Sequence, residues 1–129
     1  MTKPHIRVVV ARIERGGRYL ITQRMPHAVL PLLWEFPGGR VEDGERDEDA
    51  LVRELNENLG IHADIQGQSM IVTHEYEKYH LDMVVFHATT KTNPEALKVN
   101  AIAWVDPSDF GNYDFPGADQ QTVDALLGE

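Results

Sequence analysis

One segment, Gly39 to Ile61 (GRVEDGERDEDALVRELNENLGI), narrows the choice of fold more than any other part of the chain. Residues 47 to 59 read as a helix. Asp47, Glu48 and Asp49 crowd its first turn, where the helix dipole favours anions. Leu51, Leu55 and Leu59 recur every fourth residue with Val52 beside them, which predicts one buried stripe. Gly60 stands where a left-handed C-terminal cap belongs. Opposite the stripe, Glu54, Glu57 and Asn58 fall within about a quarter turn of one another at roughly 100° per residue. Like charges so placed weaken an isolated helix by a few tenths of a kcal/mol. A helix that keeps them is consistent with a bound hard cation, which takes oxygen ligands and retains waters.

The rest of the chain bounds the setting. A length of 129 residues predicts a single domain, residues 1–129, with a core of its own. An apolar fraction of 42% and a charged fraction of 26% belong to a globular protein. The net charge of −9 argues against binding long nucleic acid, which needs a basic face. An acidic protein still binds a small polyphosphate when metal ions bridge the two anions. The absence of cysteine excludes disulfides and suits a reducing cytosol. No apolar run nears the roughly 18 residues of a membrane span, and Arg7 and Arg12 interrupt the only N-terminal candidate for a signal segment. A cytoplasmic location away from membranes is expected. Nothing in the pattern fixes an oligomeric state.

Strands are expected at Ile6–Ile13, where the β-branched run reads as covered on both faces, and at Tyr19–Thr22 after the Gly16-Gly17 turn. Residues 25 to 33, with two prolines, read as a loop. Further strands are expected at Ser69–Thr73, Leu81–Thr89 and Ala101–Val105, and a last helix at Asp119–Leu127 with Asp119 as its N-cap. Strands grouped around two separated helices predict an α/β sandwich with a mixed sheet. The six histidines show no zinc spacing and read as surface or strand residues. Arg24 follows a strand and offers a fork for phosphate or a base edge. Trp34 and Phe36 suit either base stacking or the core, Phe36 more the core.

The 39–61 spacing closely resembles the Nudix box: Gly, five residues, Glu, seven residues, Arg-Glu-aliphatic, any residue, Glu-Glu, any residue, Gly-aliphatic. Gly39, Glu45, Arg53-Glu54-Leu55, Glu57 and Gly60-Ile61 match, and Asn58 replaces the second Glu of the pair. Trp34-Glu35-Phe36-Pro37-Gly38-Gly39, Trp104 and Phe115-Pro116-Gly117-Ala118-Asp119 are similar to segments of MutT-type Nudix proteins. The resemblance implies a Nudix-type α/β/α sandwich. It also implies hydrolysis of a nucleoside triphosphate to monophosphate and pyrophosphate with Mg2+, or Mn2+ in its place. The small-molecule substrate would be an oxidised purine or cytidine-type nucleotide. By position, Glu54, Glu57, Arg53 and Glu45 form the catalytic group. Glu54 and Glu57 hold metal together with the Gly39 carbonyl and Asn58, while Glu45 and Arg53 brace loop and helix as an ion pair. Asp119 reads the base, with Arg24 and Trp34 beside the substrate. MutT-type proteins often carry Glu six residues before the matching tryptophan, where this chain has Lys98; Glu75, Glu77 and Glu95 are the nearby substitutes. Hydrolysis of RNA 5' ends or nucleotide sugars, and a nucleotide-binding protein with a weakened catalytic centre, are the alternative readings.

Overall fold

The computed structural model describes residues 3–129. Its strands are β1 (His5–Arg15), β2 (Arg18–Gln23), β3 (Trp34–Glu35), β4 (Gly38–Arg40), β5 (Ala63–Glu75), β6 (His80–Thr90) and β7 (Ala101–Val105), with helices α1 (Asp47–Leu59) and α2 (Gly117–Leu127). The sheet runs β3-β2-β1-β6-β5, with β4 also pairing β1 and β7 pairing β2. β1 and β6 are parallel, from His5 opposite His80 to Ile13 opposite Ala88. The other pairings are antiparallel. The expected mixed sheet between helices is therefore present.

β1 explains the layering. Its residues alternate between faces, and every residue from Val9 to Ile13 is buried. Val9, Ala11 and Ile13 join Leu51, Leu55, Leu59 and Val84 in one core beneath α1. Val10 joins Ile21, Phe36, Val85, Phe110, Val123 and Leu126 in another beneath α2. Leu51, Leu55 and Leu59 are fully buried, as their spacing predicts, and truncating one to Ala would cost about 2–5 kcal/mol. Val52 departs from the expected stripe: it is 40% exposed, and Ala50 takes the inward place. One step along a helix is about 100°, enough to carry Val52 past the edge of the contact. Gly60 adopts φ 67°, and its N–H closes the helix on the Asn56 carbonyl.

The last helix begins two residues earlier than expected. Pro116 is its N-cap, and Asp119 lies buried in the first turn without capping it. The cap reading of Asp119 is thus corrected. Its carboxylate turns inward and accepts the Phe36 N–H at 3.1 Å. Two features carry little local signal: the short strands β3 and β4, and the length of β5, whose bulges at Ile65/Gly67 and Gln68/Met70 let an edge strand run past β6. Among the described residues, no helix is long and apolar enough to cross a membrane.

Candidate functional site

The site is built around Gly38 and Gly39 in β4. A Cβ on Gly38 would strike the Val9 backbone, and one on Gly39 would strike the Glu54 carboxylate. Only glycine admits so close an approach, and the Glu54 side chain occupies the space a Cβ would fill. On this side, Arg53 gathers the acids of the loop and helix. Its Nε and Nη2 donate to the two Glu45 oxygens at 2.8 and 2.9 Å, a bidentate fork. Its Nη1 donates to Glu54 at 2.9 Å and Glu57 at 3.4 Å, and Nη2 also reaches the Arg40 carbonyl at 3.0 Å. The hydrogen bonds from Arg53 hold Glu45 down to about 2, and Glu45 in turn pushes the arginine upward. The expected brace between Glu45 and Arg53 is present in this geometry.

Asn58 belongs to the same cluster in an unexpected role. Its Nδ2 donates to the Gly38 carbonyl and to Glu54 Oε2, both at 3.1 Å. A glutamate could make neither bond, because an ionised carboxylate only accepts. Here the amide ties β4 to α1 and steers Glu54. The Asn58 carbonyl accepts the N–H groups of Leu97 and Lys98. A cavity of about 190 Å³ is lined by Asn58, Lys98, Arg24, Glu35 and Gly38. Both departures from the family pattern thus meet in one place, where two carboxylates are replaced by an amide and an ammonium.

On the other side of Gly38 and Gly39 lies a larger cavity of about 400 Å³. Ile6, Val8, Leu81 and Met83 form its apolar floor, Tyr76 and Tyr79 one wall, Val29 and Leu30 another, and Arg24, Glu35 and Asp119 its polar groups. Arg24 donates to Glu35 at 3.0 Å and to the Val29 carbonyl at 2.6 Å, so it fixes both the acid and the loop. Leu30 and Leu32 hold positive φ of 55° and 62°, a conformation that costs a leucine strain. Burial pushes the Asp119 carboxyl well above the usual range, and the charge of Glu35 pushes it further. Burial raises Glu35 as well, against the pull of Arg24.

Of the expected substrate residues, Arg24 and Asp119 line this cavity, whereas Trp34 lines neither. Trp34 packs edge-on against Tyr113, 5.1 Å between ring centres. Strand alternation explains the difference, since neighbours on β3 point to opposite faces and Glu35 takes the inward one. Phe36 is buried, 1% exposed, and stacks on Phe115. Glu35, Tyr76 and Tyr79 were not singled out as cavity residues. The signal for Glu35 was its place between Trp34 and Phe36; the tyrosines carry none, because the β5–β6 register brings them in. Glu75 and Glu95 do not replace the acid absent at Lys98. Glu75 pairs with Lys3 at 2.6 Å, and none of Glu75, Glu77 and Glu95 lines either cavity.

Comparison with known proteins agrees with this geometry. The chain is 36% identical to the CTP pyrophosphohydrolase of Escherichia coli (strain K12), over 95% of this chain and 91% of that one. It is 34% identical to the 8-oxo-dGTP diphosphatase of Proteus vulgaris, over 62% of this chain and 71% of that one. The solution structure of the E. coli ORF135 protein superimposes with a TM-score of 0.84 at 32% identity, over 98% of this chain and 91% of that one. The model of the NUDIX domain matches residues 8–125, so that the chain belongs to the Nudix hydrolase family, enzymes acting on acid anhydrides.

Proposed function

We propose that this protein is a Mg2+-dependent nucleoside triphosphate pyrophosphohydrolase that releases a nucleoside monophosphate and pyrophosphate, with cytosine as its preferred base. The observation that carries the reading is the Gly38–Gly39 strip. It forms part of the 400 Å³ cavity on one side and seats Glu54 on the other. A base in the cavity would therefore lie beside the acids that face its phosphates.

Glu54, Glu57 and the Gly39 carbonyl would hold the ion. Oxygen donors of this kind fit magnesium, and manganese would substitute. When bound, the ion offsets phosphate charge and lowers the pKa of a water it carries. The chain's own part is positioning. Arg53 fixes Glu54 and Glu57, and Asn58 locks Glu54 against Gly38. Lys98, at the mouth of the neighbouring cavity, supplies a cation for the phosphate chain.

The base preference follows from the acid pair. Asp119 lines the cavity, and its Oδ1 is already taken by the Phe36 N–H, which leaves Oδ2 for a base. With Glu35 nearby, the pocket is rich in acceptors, and it suits a base edge that offers an amino group, such as cytosine. The name of the E. coli relative supports this choice. An oxidised guanine also adds an N–H, and the name of the P. vulgaris relative makes it the second substrate to test. Pyrophosphate release should be measured over normal, methylated and oxidised nucleoside triphosphates with Mg2+ or Mn2+. We expect CTP or dCTP to lead. Equal rates on all bases would overturn the base assignment, and no turnover on any would overturn the hydrolase reading in favour of a binding protein.

A further inference from the structure

We infer that His5, His80 and Asp82 form a second metal site, distinct from the Glu54–Glu57 face and suited to a borderline ion such as zinc. Each offers one ligand atom, and these atoms lie within 4.8 Å of one another. The register of the sheet makes the cluster. His5 is opposite His80 in the parallel β1–β6 pair, and Asp82 is two residues beyond His80, so all three share one face. The histidine rings are 4.7 Å apart. That face is the one α1 covers farther along, at Val9 and Val84. His5 lies four residues before Val9, the partner of Gly39, or about 13 Å along the strand. The cluster is therefore separate from the box.

The surroundings orient His80 for this purpose. Its Nδ1 meets the Glu75 carboxylate, and its Nε2 lies 3.1 Å from Asp82. With Nδ1–H donating to Glu75, Nε2 is the atom that would meet the ion in place of its contact with Asp82, in the carboxylate–histidine arrangement that commonly supports zinc. A tetrahedral zinc with bonds near 2.0 Å spaces its ligands about 3.3 Å apart. His5 is exposed, and rotation of its side chain closes the remaining distance. Zinc would displace the Nε2 proton to solvent, and water would complete the shell. Of the neighbouring cations, Lys3 pairs with Glu75, and Arg7, which lies opposite Asp82 in the sheet, is hydrogen-bonded to Asp47 at 2.6 Å. Because His80 directly follows Tyr79, an ion here would brace the Tyr76–Tyr79 turn that walls the large cavity.

The test is zinc titration by calorimetry in excess Mg2+, which occupies the box, with no nucleotide present. One zinc should bind. His5→Ala and Asp82→Asn should each weaken it at least about 10-fold, and Glu75→Gln by about 10-fold through loss of the hydrogen bond that orients His80. Glu57→Gln should leave it unchanged. Zinc should also raise the Tm of the parent and not that of His5→Ala, as expected for a ligand of the native state. His5 is the first residue of its strand and exposed, so this variant should keep the parent's circular dichroism. Parent-like zinc affinity in His5→Ala and Asp82→Asn would overturn the assignment, as would zinc binding that disappears in Glu57→Gln. Neither outcome bears on nucleotide turnover.

Discussion

The two sides of the Gly38–Gly39 strip hold carboxylates whose environments are opposite. On the α1 side, Glu45 is bound by a forked arginine in water and held at about 2. On the cavity side, Asp119 is walled off from water with a second acid for company, and its pKa rises. The first arrangement keeps Glu45 charged as the partner of Arg53. The second disfavours the charged form of its acids. Neighbours, not residue type, decide the role of each acid.

The largest effect should come from the charged side. Glu54→Gln and Glu57→Gln should each lower the rate of pyrophosphate release by a factor of about 100 or more, with the fold intact by circular dichroism. Full activity in both, at limiting Mg2+, would place the metal elsewhere and dissolve the contrast.

The next effect lies in the cavity. In Asp119→Asn, the Phe36 N–H holds the amide oxygen, so the NH2 group must face the base. An NH2 cannot accept from the cytosine amino group, and preference for cytidine nucleotides should fall about 10-fold or more against other bases. An unchanged order of rates across the panel would show that the base is read elsewhere. The same variant tests the raised pKa. The native pKa lies above the unfolded value near 4, so the parent loses stability as pH rises from there toward the native pKa. The Tm of Asp119→Asn should therefore gain on the parent's as pH rises above about 4. A constant difference would mean that Asp119 is charged in the native state.

A smaller effect is expected at Asn58. Asn58→Glu removes the donor to Gly38 and crowds a second carboxylate against Glu54. The ion-free Tm should drop while Mg2+ raises it more than in the parent, since the ion then offsets the repulsion. A variant with the parent's Tm and metal response would show that Asn58 neither braces nor faces the ion.

The smallest effect belongs to Glu45. Its lowered pKa contributes stability that is present above about pH 4.5 and lost as pH falls toward 2. Glu45→Gln should flatten that part of the acid unfolding curve. Should the curve keep its shape, the exposed ion pair adds little to stability.

The sequence by itself determined α1, its Gly60 cap, the buried leucines and the partnership of Arg53 with Glu45. These depend on spacing along one helix and the loop before it, and spacing is local. The same local logic located β1, β7 and the mixed sheet. What it missed is non-local. Val52 and the start of α2 were placed by the packing at their edges, and Asp119 lost its cap role because Phe36 offered an N–H from 83 positions away. Glu35 took the place expected of Trp34 because strand alternation gives only one of them the cavity. Asn58 and Lys98 read together as departures that weaken one centre, and the fold puts both in the lining of one cavity. The histidines followed the same rule: no spacing joins His5 to His80, and only the parallel register of β1 and β6 sets them side by side. Tertiary structure alone decided these, because pairing between distant strands depends on which faces both can bury together.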